Sequence, residues 1–158
     1  LPVVVAFEHH LRYDLKGYPK VAFPQKLHPA SLIVSICDVY DALSQRRSYK
    51  ASYPPLKIYE IMINEKGKLF EPELLEKFLR VMGVWTVKSI VALSDGRIAV
   101  VREQNENDIF NPKVEIISPR RKKGFIDLLK DGIKIKEYLD PFGKGKKYLR
   151  LINPEREA

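Results

Sequence analysis

His9-His10-Leu11-Arg12-Tyr13-Asp14-Leu15-Lys16-Gly17-Tyr18-Pro19 sets two adjacent histidines at the end of an apolar run and shortly before a Gly-Tyr-Pro turn. Pro2 suits the first turn of a helix, so residues 2–10 read as a short helix that delivers both imidazoles at its end. A neutral imidazole binds transition metals through a ring nitrogen, and successive helical residues project about 100° apart. Such a pair can serve two neighbouring ions, or one ion and its bound water. Further along, Asp38-Val39-Tyr40-Asp41-Ala42-Leu43 follows the apolar run Ile33-Val34-Ser35-Ile36-Cys37. An ionised carboxylate buried there is costly unless it meets a cation or a strong donor, so Asp38 reads as a third metal ligand. Two histidines and one aspartate make a partial site.

The same residues resemble the end of an HD-GYP domain, the phosphodiesterase branch of the HD phosphohydrolases. That family's pattern runs His-His-Glu-x-x-Asp-Gly-x-Gly-Tyr-Pro, then an Asp-x-x-Asp-Ala-Leu helix, then an Arg-Pro-Tyr-Arg segment. This chain matches with His9, His10, Asp14, Gly17, Tyr18 and Pro19, then Asp38, Asp41, Ala42 and Leu43, then Arg47, Tyr49 and Lys50. The order holds from about residue 5 to residue 80. Leu11 stands where the family has glutamate and Leu15 where it has glycine, so the signature is degenerate. The resemblance implies a metal-dependent phosphodiesterase acting on cyclic di-GMP. His9, His10 and Asp38 would be ligands to two or three iron or manganese ions in the intact site. Arg47 and Lys50 would hold substrate phosphates, while Asp14, Gly17, Tyr18, Pro19 and Asp41 complete the structural signature.

The family's His-Asp pair lies well upstream of this signature, and the sequence opens at Leu1, eight residues before His9. The chain is therefore expected to be the C-terminal part of a longer protein and to have little or no hydrolase activity alone. A degenerate domain that senses a nucleotide or binds a partner without cutting it is the alternative, motivated by Leu11 and Leu15. A truncated helical half would expose apolar surface, so association of copies or domain swapping is also expected.

Composition sets broader bounds. With 158 residues, 45% hydrophobic and 30% charged, the chain can bury a real core as one domain or two small ones. No apolar run approaches the roughly 20 residues of a membrane-spanning helix, and a cytoplasmic location is expected. One cysteine, Cys37, excludes an intramolecular disulfide; its place in an apolar run predicts a small buried thiol. The net charge of +8, from 28 basic and 20 acidic residues, suits an anionic partner.

The pattern of elements predicts an α+β chain in two domains. Residues 1–83 read as the C-terminal helical portion of an HD-type all-α domain. Beyond the first helix, residues 11–29 form a proline- and glycine-rich loop. Three helices follow, over Pro29 to about Gln45, roughly 55–65, and Pro72 to Met82. On the second of the chain's four helices, Asp41 is expected to cap or to pair with a nearby arginine. Arg46-Arg47-Ser48-Tyr49-Lys50 could clamp a phosphodiester, or simply complement a helix C-terminus.

Residues 84–158 read as a small antiparallel barrel-like domain. Strands are expected over Thr86–Leu93 and Arg97–Arg102, flanking a Ser94-Asp95-Gly96 turn, and over Lys113–Ile117. Shorter strands are expected near Ile133–Lys136 and Tyr148–Ile152, and Phe125–Lys130 fits either strand or helical turn. Arg120-Arg121-Lys122-Lys123 and Gly143-Lys144-Gly145-Lys146-Lys147 read as solvated turns; the latter lacks the spacing of a phosphate-binding loop. Core packing is expected to account for most aromatics here, and nucleic acid is not an expected partner.

Overall fold

The computed structural model describes residues 1–16, 20, 26–45 and 52–152. The chain divides into two compact units, Leu1–Leu79 and Arg80–Ala158.

The first unit is helical: α1 (Pro2–Glu8), α2 (Pro29–Ser44), α3 (Pro55–Asn64) and α4 (Pro72–Met82), whose last turn crosses into the second unit. Each helix opens on a proline, which lacks the N–H that a first turn would leave unpaired and has φ already set for the helix. His28 caps α2, its Nδ1 accepting the Ala30 N–H at 3.1 Å. Ile36, Ile58, Met62, Phe70, Leu75 and Leu79 form the core, and the Tyr40 and Phe78 rings meet edge-on beside it at 5.2 Å. Residues 13–14 lie along the α3–α4 connection, with the Tyr13 and Asp14 N–H groups donating to the Leu69 and Lys68 carbonyls at 3.1 and 2.9 Å.

α2 corrects two expectations. Cys37 and Asp38 are exposed, not buried. The helix is apolar nearly all round, so its pattern could not say which face packs. The face that packs carries Ser31, Ser35 and Ile36, with Val39, Tyr40 and Leu43 against the core. Ile33, Val34, Cys37, Asp38 and Asp41 lie on the opposite, exposed face. Without burial, Asp38 needs no cation to offset desolvation, and that argument for a metal role falls.

The second unit holds β1 (Ile90–Leu93), β2 (Ile98–Glu103), β3 (Lys113–Ser118), β4 (Gly124–Asp127) and β5 (Ile135–Tyr138). They form one antiparallel sheet in the order β4-β3-β2-β1-β5. It is open, with β4 and β5 at its two ends, so what holds of the barrel-like expectation is its coarser part, an antiparallel sheet. Side chains alternate between faces, and in the central strands β1, β2 and β3 both faces are buried. Ile90 and Val100 join Ile117 and Leu139 in one cluster, while Val91, Leu93, Ala99 and Val101 are buried on the other side.

Two further expectations change here, and one open alternative resolves. Residues 86–89 are a turn, not part of β1. The Thr86 and Ser89 hydroxyls bond across it at 3.1 Å, and Lys88 takes φ 74°. The segment 125–130 divides between strand and helix: β4 ends at Asp127, whose carboxylate accepts the Leu129 N–H and caps α5 (Leu128–Asp131). The expected strand at 148–152 is helical, a tight turn over 146–148 leading into α6 (Leu149–Ile152). Leu151 and Ile152 pack on the Ile90 cluster; a short apolar run does not distinguish helix from strand by its pattern. Among the aromatics, Trp85 is buried and donates its indole N–H to the Phe110 carbonyl at 3.1 Å. Phe125 and Phe142, at 76% and 73% exposure, are not core residues.

Candidate functional site

The two imidazoles sit where α1 ends. His9 closes the helix with helical backbone angles, and its Nδ1 lies 2.9 Å from the Val5 carbonyl. A carbonyl only accepts, so Nδ1 is the donor, and in the neutral ring Nε2 keeps the lone pair a metal would use. His10 is exposed, and its ring centroid is 3.9 Å from that of His9, with the planes tilted by 39°. Leu11 turns inward and is buried at 4% exposure.

The next residues form a fixed corner. Arg12 donates from Nε and Nη2 to the Asp14 carboxylate at 3.0 and 3.3 Å and reaches Glu65 at 3.6 Å. Asp14 also accepts the Lys16 N–H at 3.1 Å. The Arg12 hydrogen bond, helped by that N–H, holds the Asp14 carboxyl below the ordinary carboxylate range. Between them Leu15 takes φ 57° and donates its N–H to the Arg12 carbonyl at 2.9 Å. The left-handed backbone favoured by glycine is thus kept with leucine in place.

Asp41 accepts from Gln45 Nε2 at 2.7 Å, a partner four residues on in sequence. Asp38 is exposed on α2. Among the described residues, no three His, Cys, Asp or Glu side chains come close enough together to hold an ion. The histidines are brought together, and Asp38 does not complete a three-ligand set with them. Gly17, Tyr18, Pro19, Arg47 and Lys50 lie outside the described residues.

Sequence spacing missed two supports of this corner. Glu8, next to His9, accepts the His28 N–H at 2.9 Å and so ties the end of α1 to the start of α2 across 20 residues of sequence. Glu65, at the end of α3, meets Arg12. Neither pairing has a local signal, because both depend on how the helices pack.

No protein-family model matches the chain. It is 31% identical over 123 residues to a cyclic di-GMP phosphodiesterase of Pseudomonas aeruginosa, covering 78% of this chain and 30% of that protein. It is 36% identical over 76 residues to a cyclic di-GMP phosphodiesterase of Thermotoga maritima, covering 48% of this chain and 21% of that protein. A 3'3'-cGAMP-specific phosphodiesterase of Vibrio cholerae is 37% identical over 75 residues, covering 48% and 14%. The chain thus spans less than a third of each of these relatives. The Pseudomonas match is longer than either compact unit, so it reaches into both.

The chain is a relative of the cyclic-dinucleotide phosphodiesterases. Its His-His and Gly-Tyr-Pro residues resemble the HD-GYP signature. Among the described residues, no helix is long and apolar enough to cross a membrane.

Proposed function

We propose that this chain is part of a metal-dependent phosphodiesterase that hydrolyses a cyclic dinucleotide, cyclic di-GMP being the first candidate. The observation that carries this is the 31% identity over 123 residues to a protein named for that activity. Residues 1–83 would be the C-terminal helical portion of an HD-GYP-like domain, and residues 84–158 a separate small β-rich, barrel-like domain. His9 and His10 would be metal ligands, a role supported by the Nε2 lone pair that the Val5 contact leaves on His9. Asp38 would join them, with further ligands supplied from beyond the described residues. Iron or manganese, as two or three ions, would lower the pKa of a bound water and neutralise the phosphodiester.

For the chain's own residues, the assigned work is holding and positioning. Arg47 and Lys50 would hold substrate phosphates. The Arg12–Asp14–Glu65 corner would fix the peptide that follows the histidines.

The test is hydrolysis of cyclic di-GMP by the full-length protein loaded with manganese or iron, followed by chromatography of the products. A His9→Ala, His10→Ala variant is expected to lose at least about 100-fold in rate, beyond the 10–100-fold typical of residues that only support a ligand. Turnover unchanged in that variant, or equal turnover after the metal is stripped, would overturn the proposal.

A further inference from the structure

The reading above gives residues 84–158 no ligand, yet this unit contains a groove of about 970 Å³. Small-molecule sites typically occupy about 300–1,000 Å³ and pair an apolar lining with a few polar groups. Ala92, Ile98 and Leu139 form the floor, at the border of the Ile90–Val100 core cluster, of which Leu139 is a buried member and against which Ala92 and Ile98 pack. The rim is the stretch from Gly143 to Arg150, carrying Lys144, Lys146, Lys147 and Arg150. Glu137 is the one acidic residue in the lining, and Lys144 covers it at 2.5 Å. Lys146 and Arg150 are exposed and have no ion pair among the described residues. Lys147 sits 5.0 Å above the Tyr148 ring, which sets a cation beside a partly buried aromatic face.

This rim was expected to be an ordinary solvated turn, but its backbone is tightly held. The Gly143 and Gly145 N–H groups both donate to the Asp140 carbonyl, at 2.9 and 2.8 Å, and the Asp140 carboxylate accepts the Phe142 N–H at 2.9 Å. A Cβ at Gly145 would lie 2.6 Å from the Leu139 carbonyl oxygen and 2.9 Å from that of Asp140. Glycine there lets the loop close onto the end of β5. The lysines therefore stand on a fixed loop over an apolar floor. Cations held in place lose less freedom on binding than cations on a mobile loop.

We propose that this groove binds a free nucleotide, with the base against the Ile98–Leu139 floor and the Tyr148 edge, and its phosphate on Lys146, Lys147 and Arg150. An ion alone would need no apolar floor. An apolar ligand would leave the cationic rim without a counter-charge. A flat base carrying phosphate matches both.

The test is a titration of the isotopically labelled chain with AMP, GMP and a linear dinucleotide, followed by amide NMR shifts. Shifts centred on residues 92, 98, 139 and 143–150 are expected for at least one of them. A Lys146→Ala, Arg150→Ala variant, altered only at exposed positions, is expected to bind at least about tenfold more weakly with its spectrum otherwise kept. A His9→Ala, His10→Ala variant is expected to bind the nucleotide unchanged, which separates this site from the proposed metal site. Equal shifts with inorganic phosphate alone would overturn the proposal, as would shifts centred on residues 120–123 or none at millimolar ligand. Affinity rising steeply from the dinucleotide to a single-stranded oligonucleotide would overturn the assignment to a free nucleotide.

Discussion

The helical unit and the sheet unit are of equal length, but the first two helices of one and the central strands of the other bury their apolar residues to different degrees. In the sheet unit, Ile90, Val91, Ala99, Val100, Val101, Val114 and Ile116 are fully inaccessible. In the helical unit, Val3 is 82% exposed, Phe7 60% and Ile33 49%. The difference follows from geometry. A strand shows alternate residues to two faces, and the central strands of this sheet have both covered, so an all-apolar run such as Ile90-Val91-Ala92-Leu93 is used almost entirely. A helix shows residues all round, and a helix packed along one stripe leaves the rest of its apolar residues uncovered. α1 and α2 carry more apolar surface than the core of Ile36, Met62 and Leu75 takes up.

The sharpest way to break this comparison is to remove side chains from both units. Ile90→Ala deletes a fully buried side chain in the sheet and is expected to cost about 2–5 kcal/mol, through lost transfer energy and the cavity left behind. Val34→Ala acts on the exposed face of α2 and is expected to stay within about 0.5 kcal/mol. Urea denaturation checks both, with Trp85 fluorescence following the sheet unit and far-ultraviolet circular dichroism following the helices. A cost above about 1.5 kcal/mol for Val34→Ala would mean that its face is covered in solution.

Where each unit was legible in sequence follows the same geometry. The four helices could be read because proline opens each one and because the α4 stripe, with Leu75 and Leu79 buried, has a clear period. The β1–β2 hairpin could be read from Ser94-Asp95-Gly96, where Gly96 has φ 85°. The exposed face of α2 could not, because Ile33 and Val34 look as apolar as Ile36. The rim of the groove could not either. Nothing local in Gly143-Lys144-Gly145 says that Gly145 will lie against the carbonyls of Leu139 and Asp140. At the candidate site, the histidine pair was plain in sequence. Glu8 and Glu65 were not, because their partners come from other helices.

A smaller effect is expected at Leu15. A non-glycine residue in the left-handed region costs roughly 1–2 kcal/mol, and glycine there gives back part of that through its greater freedom when unfolded. Leu15→Gly is therefore expected to stabilise the helical unit by about 1 kcal/mol, read as a higher urea midpoint by circular dichroism. The Leu15 side chain also lines a groove with Leu27, Leu32 and Leu74. A lower midpoint would show that those contacts outweigh the backbone strain. In the sheet unit Gly96 and Gly132 already supply glycine at positive φ, and the position that matches Leu15 is Lys88, at φ 74°.

The smallest expected effect concerns a feature the two units share. Arg12 and Asp14 in one, and Arg97 and Asp95 in the other, pair two residues apart, and each aspartate also accepts a backbone N–H. In both, the arginine hydrogen bond is the largest influence and holds the carboxyl below its ordinary value of 3.8. A carboxyl whose folded pKa lies below its unfolded value adds stability that is fully present above the unfolded pKa. That stability is lost as pH falls through the lower folded value. Asp14→Asn and Asp95→Asn keep an oxygen for the backbone N–H but remove the charge. Each is expected to flatten the fall in urea midpoint below about pH 4. Both pairs stand near solvent, so salt screens them, and the difference from the parent chain should shrink in about 1 M sodium chloride. A flattened acid limb for Asp95→Asn alone would mean that the Arg12–Asp14 corner is held by its backbone bonds to Leu69 and Lys68, with its charges contributing little.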